Sequence, residues 1–154
     1  MNRNTLIKKL KQYPDNVQKC EEKKRDIELL KNDKERILAG ERLLANDDIK
    51  VQSGLSKQVQ TVVEQAESID IKIKIAKAEL KEIKREIREV DKRMKVLRSE
   101  EQEIIKARYL CKGKPEEFWR IAKRLSYSPD WVRHACMKAL AKMCFEKKTQ
   151  NNTK

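Results

Sequence analysis

From Leu55 onward the apolar residues fall in alternating steps of four and three: Leu55, Val59, Val62, Ala66, Ile69, Ile73, Ala76, Leu80, Ile83, Ile87, Val90, Met94 and Leu97. No step is missed over six heptads. That period places every one of them on one stripe of a helix that packs along a partner helix. Such a helix would extend ~65 Å at 1.5 Å per residue. Within it, Ile69-Asp70-Ile71-Lys72-Ile73-Lys74-Ile75 alternates like a strand. A strand there would break a seam that is intact on both sides, so helix is the expectation. Ile71 and Ile75 then lie off the seam, one turn apart, as two isolated surface isoleucines or as a second contact face. The a positions are Val59, Ala66, Ile73, Leu80, Ile87 and Met94, and four of the d positions are β-branched. Parallel dimers prefer the reverse bias, so a simple parallel zipper is disfavoured.

The pattern ahead of Leu55 is looser. Thr5–Gln12 predicts a short helix ending near Tyr13–Pro14, because proline suits the first turn of a helix better than its interior. A second helix is expected from Asp15 to Ala45, with Val17, Cys20, Ile27, Leu30, Ile37 and Leu44 as its apolar residues. Lys24, Lys31 and Lys34 interrupt that stripe. Asn46–Gly54, NDDIKVQSG, reads as a loop. An antiparallel hairpin of the two long helices fits it; dimeric or higher packing through the coiled coil, a homo-oligomer, is the other arrangement.

After Leu97 the pattern becomes that of short helices. Ser99 and Gln102 form a capping-box pair for a helix from Glu100 to Leu110, with Ile104, Ile105, Ala107 and Tyr109 facing inward. Lys112-Gly113-Lys114-Pro115 is a turn. The next helix, 116–125, would bury Phe118, Ile121, Ala122 and Leu125. Ser126–Tyr127 turns the chain. Ser128 is then a good N-cap, Pro129 suits the first helical position, and Asp130 favours the positive helix end. The last helix would run from Pro129 to Phe145 on an inner face of Val132, Ala135, Cys136, Ala139, Leu140 and Met143. The fold class is therefore all-α: a long helical hairpin or coiled coil over 1–98, a helix-turn-helix domain over 99–145, and a polar tail over 146–154.

Charge adds a direction. The chain of 154 residues has a formal net charge of +13. Residues 118–154 carry nine basic and two acidic side chains, more than half of that excess. This favours a polyanionic partner, while a solvated lysine-rich helix surface is the plainer account. Cys20, Cys111, Cys136 and Cys144 are scattered without a C-x-x-C, and His134 and Cys136 point to different helix faces. Reduced thiols and no metal site are expected. The opening MNRNTLIKKLKQYP is too polar for a secretory leader, and no run approaches the ~20 apolar residues of a membrane span. No cofactor, hydrolase or kinase motif is present, and a non-enzymatic role is expected.

The stretch LRSEEQEIIKARYL…IAKRLSYSPDWVRHACMKALAKM resembles region four of bacterial sigma factors. The shared elements are Glu101, Ile105, Arg108 and Tyr109; then Ile121, Ala122, Leu125, Ser128, Val132 and Arg133; then Ala139, Leu140, Lys142 and Met143. The match covers residues 97–144, about a third of the chain. A basic helical N-terminal half joined to this module is similar to phage and mobile-element transcription regulators of the ArpU and RinA type. That resemblance implies a sigma-like activator that binds double-stranded DNA and acts with the host RNA polymerase, in the bacterial cytoplasm or nucleoid.

It also implies that the helix from Pro129 is the recognition helix, with Ser128, Asp130, Trp131, Arg133, His134 and Lys138 at or near the DNA. Arg133 would read a guanine or hold a phosphate. Asp130 would accept from a cytosine amine or only strengthen the cap. Trp131 would touch a sugar or a thymine methyl, or lean on the preceding helix. Arg120, Lys123 and Arg124 are candidates for phosphate contacts. Ser126 stands where such modules often carry glycine, and Pro129 where primary sigma factors are commonly basic, which predicts a dedicated target sequence. Two other roles suit the same pattern: a phage small terminase subunit binding DNA for packaging, and a coiled-coil adaptor whose C-terminal helices only pack.

Overall fold

A single helix, α1, runs Arg3–Asn46 with Pro14 in its interior, where a break was expected. An interior proline removes one backbone hydrogen bond and crowds the carbonyl four residues back, a cost of about 3 kcal/mol. Packing on both sides of it outweighs that cost. Leu6 and Leu10 are fully buried and Pro14 itself is buried. The Tyr13 hydroxyl donates to Asp91 at 2.7 Å, and Asn16 Nδ2 donates to Glu86 at 2.8 Å.

The computed structural model describes residues 1–46 and 53–145, with side chains for 1–40 and 59–145. After α1 come α2 (Ser53–Met94), α3 (Ser99–Tyr109), α4 (Phe118–Leu125) and α5 (Pro129–Cys144). The fold is all-α, and no strand occurs among the described residues. Of the loop expected at 46–54, Asn46, Ser53 and Gly54 are helical and the rest lies outside the described residues, as do the side chain of the seam residue Leu55 and the tail at 146–154. No helix among the described residues is long and apolar enough to cross a membrane.

The chain forms two compact units, Lys19–Ile83 and Met1–Gln18 with Lys84–Lys154. In the first, α1 and α2 run antiparallel: Lys23 pairs with Glu79 and Lys34 with Asp70, each at 2.5 Å, so position falls along α2 as it rises along α1. Every heptad residue from Val59 to Ile83 is buried or half-buried, and Ile71 and Ile75 are exposed. Ile69–Ile75 is helical, as the intact seam required. The row on α1 that meets this seam is Cys20, Lys23, Ile27, Leu30, Lys34 and Ile37, none of them exposed. Lys34 thus belongs to the stripe it was expected to break. Its apolar stem covers the seam while its ammonium reaches a carboxylate. Lys24 and Lys31 are exposed and pair with Glu21 and Glu28 on their own helix.

The second unit has a deeper core. Leu6 and Leu10 of α1, Val90 and Met94 of α2, Leu97, Ile104 and Ile105, Ile121 and Ala122, and six residues of α5 form one buried cluster. Those six are Val132, Ala135, Cys136, Ala139, Leu140 and Met143, the face that helical spacing marked as inner. α2 ends at Met94, and Leu97 stays buried in the turn beyond it, its N–H donating to the Met94 carbonyl at 3.1 Å.

The cap of α3 lies one residue earlier than the Ser99–Gln102 pair implied. Arg98 is the N-cap with extended backbone, and its N–H donates to the Glu101 carboxylate at 3.0 Å. Gln102 instead donates its side-chain amide to the Leu97 carbonyl. A glutamate carboxylate is the stronger acceptor for an orphan N–H, which decides the register.

Candidate nucleic-acid interface

The connection from α4 to α5 is set by Ser126, which adopts a left-handed conformation with φ 59. The position that favours glycine is thus occupied by serine in the conformation glycine would supply. The Tyr127 N–H folds back onto the Ala122 carbonyl at 3.0 Å and closes the end of α4. Two residues later Ser128 caps α5, its hydroxyl accepting from the Trp131 N–H at 3.2 Å, and Pro129 takes the first helical position. Capping, proline placement and turn thus agree with the sequence.

α5 is divided along its length. Its inner face packs α3 and α4, while Asp130, Trp131, Arg133, His134, Met137 and Lys138 face outward, all exposed. Ser128 supplies the cap, and Asp130 stands in the first turn, where a carboxylate favours the helix dipole. Its carboxylate lies 3.8 Å from the Arg133 guanidinium. The His134 Nδ1 lies 2.8 Å from the Asp130 backbone carbonyl, so that nitrogen carries the hydrogen and donates. The other ring nitrogen is then the acceptor in the neutral ring. Trp131 stacks on Tyr127 of the turn rather than on α4, with ring centroids 3.9 Å apart and planes 17° from parallel.

On α4, Arg120, Lys123 and Arg124 are exposed. Arg120 lies over the Trp119 ring at 5.1 Å, and Arg124 is tied to Glu116 at 3.0 Å. Lys123 is the freest of the three for a phosphate. Phe118, half-buried at the start of α4, is met by the guanidiniums of Arg108 and Arg133 at 4.7 and 5.9 Å.

A groove of about 560 Å³ runs beside the outer face of α5, lined by Arg98, Glu100, Glu101, Tyr127, Trp131, His134, Ala135, Lys138 and Lys142. Glu101 is buried at its edge and pairs with Lys142 at 2.5 Å. Burial by itself would raise this carboxyl; the Lys142 ammonium and the Arg98 N–H outweigh it and hold the group below its ordinary value. The groove is thus left with Arg98 and Lys138 as donors, His134 as an acceptor through its other ring nitrogen, and Glu100 as the exposed carboxylate.

Comparison with family models, curated proteins and solved structures finds no match. The chemistry of the site therefore rests on its own geometry. One exposed helix face offers a planar five-donor fork at Arg133, a point charge at Lys138, an acceptor at Asp130 and an apolar ring pair. Tyr127 was not expected at the site: it lies in the turn before α5, where no helical spacing applies, and the path of that turn brings its ring onto Trp131. Arg98 carries no sequence signal either, because only the packing of α3 against α5 brings it to this groove.

Proposed function

We propose that this protein is a sequence-specific regulator of transcription that binds double-stranded DNA through α5. One observation carries the reading: the exposed polar and aromatic side chains of α5 cluster on its first three turns, directly after a tight, capped turn from α4. A helix presented in that way fits the major groove, which admits one helix and is read by residues near its N-terminal end. Arg133 reads a base or grips a phosphate, Lys138 follows the backbone a turn further on, and Lys123 with Arg120 supplies phosphate contacts from α4. The net charge of +13 draws the protein to DNA before any base is read. The resemblance to sigma region four adds the finer reading, an activator at phage or mobile-element promoters that works with the host RNA polymerase.

Selection of bound sites from a random duplex library tests the reading. A single enriched motif is expected, and Arg133→Ala should weaken binding to it by ~1–3 kcal/mol with relaxed preference at one position. Equal loss on all sequences would make Arg133 a phosphate contact. Unchanged binding would remove α5 from the interface. Assembly into a ring of many copies that selects packaging sites would favour the terminase role instead.

A further inference from the structure

We infer that the stacked Tyr127–Trp131 pair reads the C5-methyl group of a thymine in the major groove. This rests on α5 being the helix that enters the groove. The two rings are 42% and 41% exposed, though each is large enough to be worth burying. They do not close over the core; they lie flat against each other at 3.9 Å. Each ring limits the motion of the other, so the pair stands as a rigid apolar wall without further ordering on binding. Trp131 is the third residue of α5, within the end that contacts base edges in a groove-bound helix.

The chemistry of the surroundings narrows the ligand. The thymine methyl is the apolar feature that a base pair displays in the major groove. It lies at the strand edge, close to phosphates of its own strand. The groove beside Trp131 has the matching composition, with the cationic Arg98 and Lys138 next to the rings. Glu100 lines the same groove and disfavours a phosphate at its own end. The two tryptophans also differ. Trp119 donates its indole N–H to Glu117, which holds that ring against its own helix end. Trp131 has no such tie among the described residues, and its indole N–H is left for a polar atom of the DNA.

The test uses the full chain and the motif returned by selection, with each thymine replaced in turn by deoxyuridine, which removes the methyl and nothing else. At one or two positions the wild-type protein should lose about three- to tenfold in affinity, the scale of one buried methyl. In Trp131→Ala the same replacements should change affinity less than twofold, while the dependence of binding on salt stays that of the wild type. Trp131→Phe should keep part of the sensitivity. Trp131 is exposed, so these variants are expected to fold, and a thermal melt checks it. A motif bound equally well with uracil at every position would overturn the inference while leaving α5 as a DNA reader. So would a uracil effect of the same size in Trp131→Ala. Selection that enriches no sequence would overturn the DNA reading itself, and this inference with it.

Discussion

In the unit of Lys19–Ile83 two helices meet along one stripe, and its cluster residues Ile27, Ile73 and Ala76 keep 6–8% of their surface. In the unit that holds α3–α5, Leu6, Leu10, Ile104, Ile105, Ile121, Leu140 and Met143 keep none. Two helices enclose a side chain on one side only, whereas five segments surround it. The stripe accordingly tolerates Lys23 and Lys34 at half-buried positions, because each ammonium escapes to a carboxylate. The deeper core admits no such exit. Its buried charge, Glu101, is held by Lys142 and a backbone N–H. The stripe thus sets register and direction, and the core sets the shape of the surface that α5 presents.

Core truncations probe this contrast most strongly. Leu10→Ala and Leu140→Ala should each cost about 3–5 kcal/mol, and Ile73→Ala about 2 kcal/mol, measured by denaturant unfolding. Equal losses at Leu10 and Leu140 would mean that the start of α1 belongs to the same core as α5. A negligible loss at Leu10 would detach it.

The next effect is electrostatic. Glu101→Ala should cost about 1–2 kcal/mol at neutral pH, since it removes the cap of α3 and leaves Lys142 without its partner. The Glu101 carboxyl is held below its ordinary value, so the stability it contributes is present above the ordinary carboxylate range. It is lost as pH falls through the folded value. The gap between wild type and Glu101→Ala should therefore close on acidification, and a gap that widened would contradict the pairing.

Tyr13 has the opposite sign. Burial, then the hydrogen bond to Asp91 and its charge, push the phenol from 10.0 up to about 12. The proton is bound more tightly in the folded state, so its stabilisation is complete below pH 10 and is lost as pH rises toward 12. Tyr13→Phe should cost about 1 kcal/mol at neutral pH by loss of the hydrogen bond, and that deficit should shrink in alkali.

Smaller effects mark the surfaces. Ser126→Gly should change stability by less than about 1 kcal/mol, because relief at a left-handed residue offsets the greater freedom of glycine when unfolded. Ser126→Val should cost about 1–3 kcal/mol, since a β-branched residue resists that conformation. Ile71→Lys and Ile75→Lys, at exposed positions away from both cores, should stay within about 0.5 kcal/mol in thermal unfolding.

The features legible in the sequence are those that repeat or obey a local rule. The heptads from Val59 to Leu97 match burial along their described length, and all six inner residues of α5 are buried. Ser128, Pro129 and the turn at Ser126 followed from capping and backbone rules. Contacts between distant segments were hidden. Nothing near Leu6 or Leu10 signals that they share a core with Leu140, and the local rule for Pro14 was overruled by that packing. On α1, Cys20, Ile27, Leu30 and Ile37 were legible as apolar positions, whereas Lys23 and Lys34 were not, because lysine counts as polar by type although its stem packs as an apolar chain. At the site, the residue types on α5 were legible, and the stack of Trp131 on Tyr127 was not. The tie between Asp130 and Arg133 is an exposed pair and adds little stability.

In the proposed role, α5 takes this protein to particular DNA sites and brings polymerase with it. Mapping its bound DNA across the genome of its host cell, with RNA polymerase occupancy followed in parallel, tests that directly. A small set of sites sharing one motif is expected, with polymerase gained downstream of them and both lost together in Arg133→Ala. Binding spread evenly over the genome, or specific sites with polymerase unchanged, would contradict it.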